Sequence, residues 1–306
     1  MVGRSPVSAA PSVAEMRKPM PPIAFLARMA KRVRALARDR SCPRSDELAR
    51  AYLRMKLRQR LLRAFPALER KRERLLDWDL EVFDYWVLVY LFEEIFVSRD
   101  YFFRAPSDRP RIFDCGTHVG LAIHYFKLLY PNARITGFEA DPDTHAMAER
   151  NVRTNRLADV EIKNLALCPG RDTVTLYRDA TIGGAPFTSI DRRLVEQKGS
   201  PGAPRTQEVT ATPLSAHLDE PVDFLKMDIE GAELAVLEEV AATGKLPLIR
   251  QMVIEYHHHL DTTVDRLSVL LRLLEGDGFG YQLRAPLESP LRPRSYQNVL
   301  VYAYRQ

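Results

Sequence analysis

The decapeptide at 111–120, Arg-Ile-Phe-Asp-Cys-Gly-Thr-His-Val-Gly, is the feature that most restricts how this 306-residue chain can fold. An apolar run reaches Asp114, and Gly116 and Gly120 follow before a helical stretch begins. Glycines here let the backbone turn sharply and approach a ligand, and the next helix presents free N–H groups. The pattern predicts a strand, a tight turn and a helix at a ligand-binding edge.

Beyond residue 111, short apolar segments alternate with helical ones, which indicates βαβ units. We predict strands at 111–115, 134–139, 160–167, 223–228, 249–255, 279–284 and 297–304. We predict helices at 119–130, 143–155, 231–242 and 262–275. An insert carries strand-like pieces at 173–178 and 207–212, separated by a Gly/Pro-rich loop at 183–204 that is typical of a lid or substrate loop. The predicted class is α/β, with a seven-stranded, mostly parallel Rossmann-like sheet and helices on both faces.

Charge divides the chain into two parts. Residues 1–76 hold 20 Lys/Arg and 6 Asp/Glu, whereas residues 77–306 hold 25 and 34. We predict a disordered leader at 1–22, a basic helical region at 23–108 and the α/β domain at 109–306. Within the basic region, helices are expected at 23–37 and 45–63, with one or two more across 67–96.

Composition excludes several classes of protein. Cys42, Cys115 and Cys168 are far apart and form no CxxC pair, so we expect no disulfide framework and a reducing, cytoplasmic setting. No segment reaches the roughly 20 apolar residues of a membrane span. Arginines interrupt the first apolar stretch, which argues against a secretory signal.

Three interpretations compete for the loop at 111–120. A dinucleotide site would need GxGxxG, but His118 stands where a glycine is expected. A purely structural turn is the second interpretation. S-adenosylmethionine (SAM) fits better, because its cationic amino-acid end suits acidic residues. Glu139, 19 residues after Gly120, ends the second strand, where a carboxylate can accept both ribose hydroxyls.

The fourth strand carries the second strong signal, Asp-Phe-Leu-Lys-Met-Asp-Ile-Glu-Gly-Ala-Glu at 223–233. It delivers Lys226, Asp228 and Glu230 to its end. Helix capping would account for the carboxylates alone. It would not account for a lysine inside a buried strand, so the pattern favours a functional site.

These segments resemble the FkbM family of methyltransferases. The resemblance rests on the strings at 113–120, 138–142, 164–167 and 224–233, with Glu255 matching at the end of the fifth strand, and covers about residues 92–304. It implies a class I methyltransferase that uses SAM. The usual reaction moves a methyl group to a hydroxyl oxygen of a sugar, polyketide or other secondary metabolite.

The resemblance also assigns residues. The cofactor-binding set it implies is Asp114, Gly116, Thr117, His118, Gly120, Glu139, Ala140, Asn164, Ala166 and Asp228. Asp228 and Glu230 are also expected at the reaction centre. The family often has Ala-Asn where this chain has Thr117 and His118, which leaves the contacts of His118 open.

Methyl transfer from a sulfonium is a direct displacement, so the enzyme mainly aligns the acceptor and excludes water. Candidate bases for a hydroxyl acceptor are Asp228 and one of His257, His258 and His259. The predicted catalytic set is Lys226, Asp228, Glu230 and His257. No metal is predicted; a divalent ion on Asp228, Glu255 and a histidine is an alternative that spacing alone does not establish. The fourth strand lacks the Asn/Asp-Pro-Pro-Tyr/Phe motif of amine methylation, which favours oxygen.

The basic N-terminal part permits three interpretations: a solvated helical face, attraction to an anionic membrane surface or lipid-linked glycan, and RNA binding. Aromatic residues are sparse at 1–63, so base stacking is not indicated there. We expect a small-molecule or glycan acceptor. The alternative function is an RNA-binding protein or RNA methyltransferase. The sequence leaves the oligomeric state open.

Overall fold

The computed structural model describes residues 21–178, 188–198, 204–260, 264, 266–285 and 296–305. The predicted leader at 1–22 lies almost wholly outside this range. The N-terminal elements are α1 (Pro22–Arg38), α2 (Ser45–Ala64), β1 (Arg72–Leu75), β2 (Trp78–Glu81), α3 (Tyr85–Phe92) and a π-helical turn that continues α3 over Glu93–Ser98. A short 3-10 helix, Pro66–Leu68, precedes β1.

The α/β part follows. Its elements are β3 (Arg111–Cys115), α4 (Leu121–Leu129), β4 (Arg134–Phe138), α5 (Pro142–Thr154), β5 (Val160–Lys163), β6 (Ala166–Leu167), β7 (Thr173–Arg178), β8 (Thr188–Ser189), α6 (Arg192–Lys198), β9 (Arg205–Thr212), β10 (Val222–Met227), α7 (Glu233–Ala242), β11 (Ile249–His258), α8 (Leu267–Gly276), β12 (Phe279–Arg284) and β13 (Gln297–Arg305). Short 3-10 helices lie at Leu214–His217 and Leu246–Leu248.

Seven strands form the central sheet in the order β12-β13-β11-β10-β3-β4-β5. The pairs from β11 through β5 are parallel, and β13 runs antiparallel to both β11 and β12. The predicted seven-stranded, mostly parallel sheet is confirmed. Chain order reverses between β3 and β10, so a crevice opens at the carboxyl ends of these two strands.

Helices cover both faces of the sheet, as predicted. Side chains alternate along each strand, so Ile112 and Phe224 join one hydrophobic cluster while Phe113 and Leu225 join the other. The first cluster contains residues of α2, α3 and α4, and the second contains residues of α7 and α8. The N-terminal elements therefore share a core with the sheet, and the proposed domain boundary at 108/109 stays a prediction.

The prediction of helix across 67–96 is wrong for 72–81, where β1 and β2 form an antiparallel hairpin. Tertiary contacts supply the reason. Asn151 of α5 accepts a hydrogen bond from the backbone N–H of Glu81 at 2.7 Å and donates to its carbonyl at 3.0 Å. One helical turn later, Asn155 repeats the pattern at Asp79. These amides satisfy the edge of β2, which a local sequence pattern does not reveal.

Two further predictions need correction. The strand predicted at 160–167 ends at Lys163 and resumes as β6, which pairs with β9 in a separate four-stranded sheet, β6-β9-β7-β8. Asn164 breaks it because its amide donates to the carbonyls of Glu139 and Ala140, at 2.9 and 3.1 Å. The loop predicted at 183–204 contains β8 and α6; residues 183–187 and 199–203 lie outside the described residues.

The helices of the described ranges include none that is both long and apolar enough to cross a membrane.

Candidate active site

The loop after β3 packs directly against the end of β10. Gly116 has φ of +85°, and a β-carbon built on it would lie 1.7 Å from the carbonyl oxygen of Asp228. The N–H groups of Gly116 and Thr117 both donate to the carbonyl of Phe138, at 3.0 Å each. The ends of β3, β4 and β10 are thereby held together, and only glycine fits at position 116.

Lys226 lies beneath this loop. Its ammonium donates to the carbonyl oxygen of Gly116 and lies 3.4 Å from a carboxylate oxygen of Asp114 and 3.8 Å from one of Asp228. Burial alone would lower the pKa of Lys226, but Asp114, Asp228 and Glu255 outweigh it and raise the pKa above its ordinary value. Burial raises the pKa of Asp114, and Lys226 opposes that rise. The pair is a buried support for the loop.

Glu139 ends β4 and faces the crevice. Its carboxylate accepts the backbone N–H of His118 at 2.8 Å and that of Asp141 at 2.9 Å. Burial raises the pKa of Glu139 to about 7, although both hydrogen bonds oppose the rise. His118 adopts a left-handed conformation, φ 50°, which aims its N–H at Glu139. A carboxylate so fixed is suited to accept a pair of ribose hydroxyls.

Gly137 and Thr117 explain how the loop fits against β4. A β-carbon on Gly137 would lie 2.5 Å from Oγ1 of Thr117. That hydroxyl is buried and donates to the carbonyl of Asp114 at 3.0 Å. Thr117 is therefore a packing residue of the loop, and its side chain does not face the crevice.

A cavity occupies the crevice. Its described lining includes apolar side chains of β6, β7 and the segment after β8, namely Ala166, Leu167, Leu176 and Ile190. All charged side chains in that lining are carboxylates: Glu94, Glu139, Asp228, Glu230 and Glu255. An acidic cavity with an apolar end favours a cationic ligand that carries a flat ring system.

The segment after β10 forms an acid–histidine cluster. Glu233, buried at the start of α7, accepts the N–H groups of Ile229 at 3.2 Å and Gly231 at 3.0 Å. Its same oxygen lies 2.8 Å from Nδ1 of His257. Nε2 of His257 lies 3.0 Å from a carboxylate oxygen of Glu230 and 4.0 Å from one of Asp228. Glu233 thus fixes the orientation of the imidazole.

Within the described ranges, Asp228, Glu233 and His257 are the group that brings metal-binding atoms together, all within 4.8 Å of one another. The metal site considered from the sequence used Asp228, Glu255 and a histidine; in the structure Glu233, and not Glu255, lies in this group. Carboxylate and imidazole donors are suited to a divalent ion. Here Glu233 and His257 are hydrogen-bonded to each other, so these side chains would have to rearrange before they could bind a metal ion.

Two parts of the site were missed at the sequence level. Tyr90 and Glu94 reach the cavity from α3 and the π-helical turn, with the Tyr90 hydroxyl donating to Glu94. Burial and the neighbouring Glu255 raise the pKa of Glu94 well above its usual range. In addition, Asn298 of β13 donates to Glu255, and the Tyr296 hydroxyl donates to Asn298. Charged and polar residues inside an aromatic helix could have signalled the first pair.

The structure separates the predicted residues into two groups. Those that line the cavity are Gly116, His118, Glu139, Ala140, Ala166, Asp228 and Glu230. Those outside the lining are Asp114, Thr117, Gly120, Asn164, Lys226 and His257, whose contacts hold the loops and the cavity residues in place. The assigned roles stay predictions.

Three features define the class I methyltransferase fold. β13 runs antiparallel to its neighbours, the strands follow the order given above, and the crevice opens between the ends of β3 and β10. The chain belongs to the FkbM family of methyltransferases: the family's sequence model, "Methyltransferase FkbM domain", matches residues 114–283. The family prediction is thereby confirmed.

Two relatives and one solved structure illustrate the proteins to which the chain is similar. "Methyltransferase 1" of Beauveria bassiana (strain ARSEF 2860) is 28% identical over 66% of this chain and 84% of that protein. The "31-O-demethyl-FK506 methyltransferase FkbM" of Streptomyces tacrolimicus is 28% identical over 62% of this chain and 81% of that protein. Among solved structures, the O-methyltransferase from Bacillus cereus in complex with SAH has a TM-score of 0.35 at 15% identity, covering 65% of this chain and 75% of that chain.

Proposed function

We propose that this methyltransferase uses SAM to methylate a hydroxyl oxygen on a sugar or secondary-metabolite acceptor. The observation that carries the proposal is the carboxylate-lined cavity at the switch point, with Glu139 fixed at the end of β4. SAM bears a sulfonium and an ammonium, whose positive charge the carboxylates of the described lining complement.

The ribose and the adenine of the cofactor each have a proposed partner. Glu139 would accept the ribose hydroxyls, and the apolar side chains of Ala166 and Leu167 would contact the adenine. Gly116 lets the backbone approach the ligand closely. When bound, SAM supplies an electrophilic methyl group next to the acceptor.

Asp228 is the proposed base. It faces the cavity, whereas the side chain of His257 is 0% exposed and lies behind Glu230. An acceptor hydroxyl would therefore meet Asp228 first. The Asp228 carboxylate would accept the hydroxyl proton as the hydroxyl oxygen takes the methyl group that bound SAM would supply. His257 and Glu230 act as positioning residues for Asp228.

Oxygen is the proposed target for two reasons. The segment after β10 reads Asp-Ile-Glu-Gly and lacks an Asn/Asp-Pro-Pro-Tyr/Phe motif. The name of the Streptomyces tacrolimicus relative describes methylation of an oxygen atom.

Calorimetric titration with S-adenosylhomocysteine (SAH) tests the cofactor site. We expect micromolar binding by the wild type, loss of binding in Glu139→Ala, and unchanged binding in Glu161→Ala, which removes an exposed carboxylate on the neighbouring strand β5. A folded wild-type protein without heat of binding would contradict the proposal.

An acceptor screen with methyl-labelled SAM tests the reaction. Label is expected in hydroxylated sugars and polyketides and absent from their O-methylated counterparts. Transfer to amines alone would contradict O-methylation while leaving the cofactor site intact.

A further inference from the structure

The exposed face of the helical hairpin α1–α2 combines apolar and basic side chains. Nine large apolar side chains of the described residues are exposed, and six of them belong to this region and its continuation. These six are Ile23, Leu26, Leu57, Leu61, Phe65 and Leu68, each with about half or more of its surface in solvent. We call them, with the cations described next, the basic apolar face.

The six side chains come from one end of the hairpin. The guanidinium of Arg60 lies over the ring of Phe25 at 5.3 Å, which places the start of α1 beside the end of α2. Leu57 and Leu61 are four residues apart and therefore lie on one side of α2. Concentrated exposure of this kind is typical of an interaction surface, whereas single exposed leucines are ordinary.

The cations of the hairpin differ in whether they have an acidic partner. On the inner side, Arg32 pairs with Glu93, which also takes Lys56 of α2 at 3.1 Å. Elsewhere on α1, Arg28, Lys31 and Arg34 are exposed and form no ion pair with any carboxylate in the ranges that the structure describes. α1 contains five basic residues and no acidic one. The half-buried Arg32 and Lys56 are neutralised within the fold, and the exposed cations leave a positive field around the helix that carries Ile23 and Leu26.

We infer that the basic apolar face binds an anionic membrane surface. Aliphatic side chains insert at the boundary between headgroups and acyl chains, while arginine and lysine beside them contact lipid phosphates and carboxylates. Aliphatic leucines fit this partner better than single-stranded RNA, which binds by stacking on aromatic rings. The inference goes beyond methyl transfer and does not depend on it.

Co-sedimentation of the full chain with vesicles tests the inference. Phosphatidylcholine vesicles with about one-third phosphatidylserine are expected to bind the protein, and vesicles of phosphatidylcholine alone are expected to bind at least about tenfold more weakly. Binding should fall as salt rises, because the Debye length shortens. Equal binding to both vesicles, or none to either, would overturn the inference.

Two variants separate the contributions. Leu57→Gln/Leu61→Gln removes apolar contact, and Arg28→Gln/Lys31→Gln/Arg34→Gln removes charge; each is expected to reduce partition about tenfold or more. Matched controls are Leu283→Gln, at a leucine 47% exposed on β12, and Arg272→Gln on the exposed side of α8, both expected to bind like wild type. Unfolding by denaturant at the midpoint of the wild type would show that the variants are folded.

Two results would assign the face to another partner and overturn the inference. One is tighter binding to RNA than to anionic vesicles at physiological salt, lost in the charge variant. The other is a dimer in solution that Leu57→Gln/Leu61→Gln converts to a monomer.

Discussion

The carbonyl oxygen of Asp228 occupies the space in which a β-carbon on Gly116 would lie, 1.7 Å from that position. The turn after β3 and the end of β10 therefore meet backbone to backbone. Both segments border the cavity, so a side chain at position 116 would displace one wall of the proposed cofactor site.

Gly116→Ala is expected to destabilise the fold by more than about 2 kcal/mol and to abolish SAH binding, because it adds both a positive-φ cost and an overlap with backbone. Denaturant titration and calorimetry measure the two effects. Gly170→Ala is the matched control: Gly170 has φ of +69° with nothing within 4 Å, so only the conformational cost of about 1 kcal/mol applies. Equal costs for both variants would contradict the steric explanation.

SAH affinity is expected to depend on pH through Glu139. Burial raises the pKa of this carboxyl to about 7, and ribose hydroxyls need the ionised form as acceptor. Protonation therefore competes with the ligand, and affinity should rise between pH 6 and 8 and fall about tenfold per unit well below the pKa. Calorimetry across this range measures the slope.

Glu139→Gln removes the titrating group. This variant should bind SAH more weakly than the wild type, and its affinity should not change with pH over this range. The sign of the proton exchange gives a second readout. At pH 7 the wild type should release a fraction of a proton on binding, detected as a dependence of the heat on buffer ionisation. Proton uptake, or a slope that persists in Glu139→Gln, would assign the titration to another group.

Asp228→Asn is expected to lower kcat about 100-fold or more, since general-base catalysis contributes about that much, and to change the SAH dissociation constant little. Once a labelled acceptor is found, steady-state kinetics and calorimetry separate the two quantities. Glu196→Gln, an exposed carboxylate on α6, is the control and should keep wild-type kcat. Loss of SAH binding in step with kcat would place Asp228 in cofactor binding instead of proton transfer.

Lys226→Met is expected to destabilise the fold by about 3–5 kcal/mol, because it leaves Asp114 buried without its cation. Asp114→Asn in the same chain should recover about 1–3 kcal/mol of that loss, a coupling that denaturant titrations of the four proteins can measure. Lys163→Met breaks a surface pair with Glu161 at 2.9 Å and should cost about 1 kcal/mol or less. Additive effects of Lys226→Met and Asp114→Asn would contradict the buried-support role.

Sequence alone determined the sheet and its ligand edge. The strand at 111–115 was predicted with the bounds that β3 has, and Gly116, Glu139 and Asp228 could be placed at strand ends because periodicity and glycine positions are local properties. Parallel strands then bring their carboxyl ends to one edge whatever the details of packing.

Only the tertiary structure decided which of these residues face the cavity. Lys226 and His257 lie behind the cavity because their partners, such as Glu233 for His257, come from other strands and helices, and the Thr117 side chain packs against Gly137 of β4. The hairpin β1–β2 was not predicted because the side-chain amide that bonds the backbone edge of β2 belongs to Asn151 of α5, 70 residues later. Tyr90 and Glu94 reach the cavity because long-range packing of the N-terminal helices sets their position; the local pattern shows polar residues in an aromatic helix but not the cavity that they face.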